Sequence, residues 1–203
     1  EKVAENSSGA VDAGSWDSLD VKISNPTFQG NVGHYAVGIG TWGSTHLEVD
    51  GCLFDGNPGG ALYCSAGTEA DFAIRDSSFT ANLAPDYAGA LYFGWLGPIE
   101  PYTVSLTDTW VTGNSGHTAG GITLAAGDPT TVELSIEGGA ITDNDGGGVY
   151  LDDWPDNVLT SVNVDWGTGP TDNTPFDISA GGVEYSLFGA GEEFVCYGDG
   201  TCE

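Results

Sequence analysis

An asparagine closes the same eleven-residue pattern again and again along this chain, and that recurrence limits the possible folds more than any other feature. "VKISNPTFQGN" ends at Asn31, "LEVDGCLFDGN" at Asn57, "FAIRDSSFTAN" at Asn82, "VSLTDTWVTGN" at Asn114 and "LSIEGGAITDN" at Asn144. A sixth copy, "VNVDWGTGPTDN", ends at Asn173 and carries one extra residue. Successive asparagines lie 26, 25, 32, 30 and 29 positions apart (57−31, 82−57, 114−82, 144−114, 173−144). Each copy opens with two apolar residues separated by one small or polar residue, the period of a strand with one buried face. Three residues before the asparagine stands Phe28, Phe54, Phe79, Val111 or Ile141, with Pro170 in the sixth copy.

A second alternating run follows each asparagine: "VGIG" from Val37, "GGALY" from Gly59, "AGALY" from Ala88, "GGITL" from Gly120, "GGVYL" from Gly147 and "GGVEY" from Gly181. A unit with two or three short strands and no helical period cannot bury its apolar side alone. Stacking buries it, with equivalent strands paired in parallel about 4.8 Å apart. The sequence therefore predicts an all-β, single-domain parallel β-helix of about six coils. Residues 1–18 read as an N-terminal cap or tail, 19–187 as the repeats and 188–203 as a C-terminal cap. An antiparallel sandwich would not need the same Asn and Gly-Gly signals at every turn. Within the stack, Phe28, Phe54 and Phe79 are expected to form an inward ladder. Asn31, Asn57, Asn82, Asn114, Asn144 and Asn173 are expected at a bend, tolerating left-handed backbone and bonding amide to amide. The inward residues of the second strand are expected to be Val37/Ile39, Ala61/Tyr63, Ala90/Tyr92, Ile122/Leu124, Val149/Leu151 and Val183/Tyr185.

These signatures resemble the paired GGA[ILV] and FxxN repeats of polymorphic outer-membrane proteins, a branch of the right-handed parallel β-helix superfamily. The copies here are "GGAL" at 59–62, "AGAL" at 88–91 and "GGVY" at 147–150, with "FQGN", "FDGN", "FTAN" and the relaxed "VTGN" and "ITDN". The resemblance spans roughly Leu19 to Tyr185. It implies a right-handed coil and a secreted or surface-displayed bacterial passenger, commonly adhesive. The C-terminal membrane barrel of the autotransported members has no counterpart in these residues.

Composition narrows the partners. Three Lys and Arg stand against 30 Asp and Glu, a formal net charge of −27, so nucleic acid and anionic membranes are repelled. No run approaches the roughly 20 apolar residues of a membrane-spanning helix. With 39% hydrophobic residues the acid is a solvated shell on a cored protein, fitting a halophilic proteome, a calcium-rich surface or an extracellular coat equally well. Cys196 and Cys202 bracket a turn and are expected to pair, with Cys52 and Cys64 a second candidate pair whose linkage the sequence leaves open. No Cys-x-x-Cys pair supports a zinc site, and no cofactor is implied.

The segments after the second strand vary most, which marks the face open to function. Stacking would gather Trp95, Glu100, Tyr102, Asp152, Asp153 and Trp154 there, aromatics beside carboxylates suited to a glycan. The competing reading has the tryptophans simply covering the core edge. A lyase would need a basic cluster that Lys2, Lys22 and Arg75 cannot form. An inverting hydrolase would need two carboxyls about 6.5–9.5 Å apart, for which Asp152 and Asp153 could join Asp128 or Asp143. No catalytic residue is assigned. His34 and His117 belong to coils about 14 Å apart and read as corner residues rather than a metal pair. "DNDGGG" at 143–148 lacks the acidic twelfth position of an EF-hand, which here is Trp154, so calcium is expected only as a weak surface ligand. The resulting expectation is a non-enzymatic secreted or cell-surface structural or adhesive protein, whose partners are glycans or surface proteins. Its alternative is a glycan-binding or glycan-hydrolysing β-helix. Open strand edges at the ends would favour head-to-tail homo-oligomers or filaments.

Overall fold

A computed structural model describes residues 2–4, 9–96, 102–126, 131–154, 156–186 and 189–203. The chain forms a parallel β-solenoid of about six turns, in which each turn contributes one strand to each of three faces. The first face stacks Leu19–Ser24, Thr45–Asp50, Ala70–Arg75, Tyr102–Thr107, Val132–Glu137 and Val158–Asp165. The second stacks Lys2–Ala4, Thr27–Gln29, Leu53–Asp55, Ser78–Thr80, Trp110–Thr112 and Ala140–Thr142. The third runs from Val11–Ser15 through Val37–Thr41, Leu62–Ser65, Leu91–Leu96, Ile122–Ala126 and Val149–Leu151 to Ile178–Ala180. The stack thus begins before residue 19: Val11–Ser15 is a strand in register with Val37–Thr41 and not a tail.

The interior is a set of columns. Phe28, Phe54 and Phe79 stack with ring centroids 4.7 and 4.6 Å apart, and Val111 and Ile141 continue the column in register. Beside it runs the asparagine column, fully buried. Each side-chain amide donates to the next carbonyl oxygen: Asn31 to Asn57 at 3.0 Å, Asn57 to Asn82 at 2.7 Å, Asn82 to Asn114 at 2.9 Å, Asn114 to Asn144 at 3.0 Å and Asn144 to Asn173 at 2.8 Å. The same Oδ1 also accepts the backbone N–H of the preceding asparagine. The second amide hydrogen turns back to the carbonyl of Phe28, Phe54, Phe79, Val111 or Ile141 in the coil before. The column ends on the buried Asp177, whose Oδ1 accepts from Asn173 at 2.8 Å.

The left-handed backbone at this corner belongs to the residue before each asparagine. Gly30, Gly56, Ala81, Gly113 and Asp143 have φ between 52° and 64°, and the asparagines themselves do not have positive φ. A second corner, between the first and second faces, repeats the device at Asn25, Gly51, Asp76, Asp108, Gly138 and Asn163. These two single-residue kinks turn the chain twice per coil. Beyond the asparagine, Gly59 is required by contact, since a Cβ there would lie 1.4 Å from the Gly33 carbonyl oxygen.

The third face corrects the expected inward set in three coils. Register aligns Val37 with Leu62 and Leu91, so Leu62/Cys64 and Leu91/Phe93 point inward and Tyr63 and Tyr92 stand outside. The alternation is the same, shifted by one residue, because "GGALY" spends one more residue on the corner than "VGIG" does. In the sixth coil Ile178 and Ala180 take the core, while Val183–Tyr185 folds back antiparallel. Trp166, not Pro170, fills the end of the interior there, its indole N–H donating to Ser161 Oγ at 3.1 Å. Ala190–Tyr197 then pairs antiparallel with Val158–Asp165 and closes the C-terminal edge, tied by the Cys196–Cys202 disulfide. Cys52 and Cys64 are not bridged. Cys52 sits at a corner and donates to the Asp50 carbonyl, whereas Cys64 lies inside the third face between Ile39 and Phe93. Burial pushes both thiols up, which keeps them unreactive.

Asn82→Leu or Asn114→Leu should each lower unfolding free energy by about 3 kcal/mol, since each strands buried donors of the preceding asparagine. Denaturant titration checks this, with Gln29→Ala, which removes one partly exposed amide–carboxylate bond, costing under about 1 kcal/mol.

Candidate functional site

The strands of the third face end in one corner, and the structure puts the expected glycan residues in three different situations. Tyr102 is not on the surface at all. It begins a first-face strand with its ring fully buried and its hydroxyl donating to the Ala66 carbonyl at 3.4 Å, so it packs the core edge. Its alternation with Val104 and Leu106 carries it inward. Trp154 is half-buried against the core, and its main chain turns through Trp154 N–H to Asp152 C=O at 2.8 Å. Glu100, Asp128 and the Trp95 side chain lie outside the described residues.

Asp152 and Asp153 remain at the corner. The Asp153 N–H donates to Asp152 Oδ1 at 3.0 Å, and Asp153 itself is exposed. Burial pushes the Asp152 carboxyl above its usual range, the Asp153 N–H draws it partly back, and the Asp153 charge adds to the rise. Asp143 occupies the kink ahead of Asn144, at the opposite end of the third-face strand from Asp152. The sequence thus brings a protonatable carboxyl to the corner without a described partner across a cleft. No group of three or more His, Cys, Asp or Glu converges on a metal position among the described residues.

The same corner holds two tryptophans that sequence reasoning passed over. Trp16 and Trp42 follow the registered pair Ser15 and Thr41, and they are 80% and 69% exposed. Their rings stack with centroids 6.0 Å apart and planes 10° from parallel. Their spacing, 26 residues (42−16), is one coil length, and that was the signal available in the sequence. It was hidden because residues 1–18 lack the asparagine motif that marks the other coils.

A second aromatic group lies on the outer surface of the third face. Tyr63 stacks on Tyr92 at 5.6 Å and 10°, with Tyr35, Tyr87 and His34 around them at centroid distances between 4.9 and 6.4 Å. His34 therefore serves an aromatic cluster. His117 anchors the same loop through its backbone, its N–H donating to the Tyr87 carbonyl at 2.8 Å. No protein-family model, no curated protein and no solved structure matches this chain.

An acid whose pKa is higher folded than unfolded holds its proton more tightly in the native state, so it favours folding at low pH and loses that contribution as pH rises through the carboxylate range. Asp152→Asn should accordingly raise the melting temperature at pH 7 and leave it unchanged near pH of about 3. Calorimetry at the two pH values reads this directly; a lower melting temperature at pH 7 would show the carboxylate to be holding its loop.

Proposed function

We propose that this chain is a non-catalytic secreted or cell-surface solenoid with an adhesive role, holding neutral glycans at the Trp16–Trp42 corner. The observation that carries the reading is the pair itself. Two large apolar rings stand mostly in water, whereas no other Trp, Tyr or Phe among the described residues exceeds the 46% exposure of Trp110, and exposed aromatic clusters of this kind mark contact surfaces. Sugar rings offer C–H faces that lie against indole and hydroxyl edges that reach neighbouring carbonyls and carboxylates. The −27 charge favours a neutral or cationic partner and disfavours polyanionic glycans, nucleic acid and anionic membrane. The solenoid supplies what such a surface needs: a stiff corner held by two registered strands, so that ring spacing is set by the coil repeat.

Head-to-tail stacking into filaments is the weaker extension of this reading. Parallel register stops at the C-terminal edge, where an antiparallel strand crosses the first face. A hydrolytic role for Asp152 and Asp153 is weaker too, because both carboxyls sit on one loop rather than on opposite sides of a cleft.

Tryptophan fluorescence titrated with neutral oligosaccharides, after a glycan-array screen, tests the proposal. Trp16→Ala with Trp42→Ala should weaken binding by about tenfold or more while leaving the melting temperature within a few degrees. Equal binding by the double variant, or no neutral glycan bound by the wild type, would overturn it.

A further inference from the structure

On the third face the outward positions form a column in register: Asp12, Gly38, Tyr63, Tyr92, Thr123 and Tyr150. Tyr63 rests on Tyr92 below, but above it stands Gly38, which has no side chain to cover the ring. One coil higher is the Asp12 carboxylate. The glycine is not demanded by the backbone. Its φ is not positive, and a Cβ would make only an ordinary 3.7 Å contact with Asp12 Oδ1. What Gly38 creates is space: an open hollow of about 160 Å³ lined by Val11, Asp12, His34, Tyr35, Gly38 and Tyr63.

We propose that this hollow binds a small free quaternary ammonium solute, with the cation seated in the Gly38 gap between the Tyr63 ring and the Asp12 carboxylate. This site is separate from the Trp16–Trp42 corner, lying about 13 Å away along the same two strands. Three features select the ligand. Adjacent coils are about 4.8 Å apart, so a group at the level of Gly38 lies within the roughly 6 Å over which an aromatic face attracts a cation. Tyr35 forms a side wall, its ring 5.6 Å from Tyr63 and 5.3 Å from His34. A methylated ammonium carries no N–H and needs no array of acceptors, which suits walls that are aromatic with a single carboxylate. A metal ion would need several oxygens, and a primary ammonium would need more acceptors than Asp12 supplies.

Tyr35 is a neutral wall of the hollow. Tyr35 is only 5% exposed, and its hydroxyl has no hydrogen-bond partner among the described residues. Burial, reinforced by the neighbouring tyrosines and Asp86, pushes this phenol well above its ordinary range, so it stays neutral. The hydroxyl is closed to solvent, so Tyr35 meets an occupant of the hollow through its ring and not through its oxygen. The protein's long-range field acts in the same direction, with three Lys and Arg against 30 acids drawing cations to the surface.

Titration calorimetry and tyrosine ring NMR shifts, in buffer with about 0.15 M salt to screen the general acidic field, test the assignment. Choline should bind saturably, and its neutral isostere 3,3-dimethyl-1-butanol at least about tenfold more weakly. Asp12→Asn should weaken choline by about tenfold, and Gly38→Leu, which fills the gap, should abolish binding while the melting temperature holds. Phosphocholine should bind several-fold more weakly than choline, because its phosphate meets the acidic surface, marking a free solute rather than a lipid headgroup as ligand. Equal binding of the isostere, unchanged binding by Gly38→Leu, phosphocholine binding tighter than choline, or no saturable choline binding would each overturn the proposal.

Discussion

Each interior asparagine in the buried column makes four hydrogen bonds with one side chain: two accepted by Oδ1 from the preceding asparagine, two donated by Nδ2, forward to the next amide and back to a core carbonyl. A buried amide is costly unless all of its donors and acceptors are met, and here every one is met by an equivalent group one coil away. The interaction therefore works only if consecutive coils keep the same register. A coil that slipped by one residue would bury an unpaired amide and also turn its apolar side chains outward. The phenylalanine column beside it rewards the same register through ring stacking at 4.6–4.7 Å. The polar column specifies the alignment and the apolar columns supply most of the driving force.

This division explains how coils of unequal length share one cross-section. The 32-residue interval between Asn82 and Asn114 exceeds the one before it by seven (32−25), of which four fall between Asn82 and Leu91 and three between Leu91 and Thr103, while strand pairing on either side continues in register. The end of the column is handled by different chemistry. Asp177 accepts from the last asparagine, Trp166 fills the interior, and the antiparallel strand with its disulfide covers the edge.

The repeat made the coils, the phenylalanine ladder and the amide ladder legible, because a buried column imposes the same residue at the same place. It also made the corner with variable segments legible. What the pattern did not reveal is what depends on a one-residue phase or on a missing motif. Tyr63 and Tyr92 alternate correctly but on the other side of the sheet, since nothing in "GGALY" states how many residues the corner uses. The left-handed residue precedes the asparagine because the amide must point inward, and a kink at Asn itself would swing it away. Tyr102 looked like a surface aromatic beside a loop, yet its place in the first-face alternation buries it. Trp16 and Trp42 went unnoticed as a pair because the coil of Trp16 has no asparagine motif to announce it.

The proposed functional surfaces follow from the same architecture. A solenoid repeats its outward positions every coil, so one departure from the pattern, a pair of exposed indoles or a glycine above a tyrosine, becomes a distinct site on an otherwise acidic, well-solvated wall. The claim on which all of this rests is that the buried amides hold the register, and side-chain hydrogen exchange measures it most directly. The Nδ2 hydrogens of Asn57, Asn82, Asn114 and Asn144 should exchange only through global unfolding, while those of the exposed Asn25 and Asn163 exchange at near-free rates. Exchange of the column amides as fast as those exposed asparagines, in protein that is otherwise fully folded, would contradict the account.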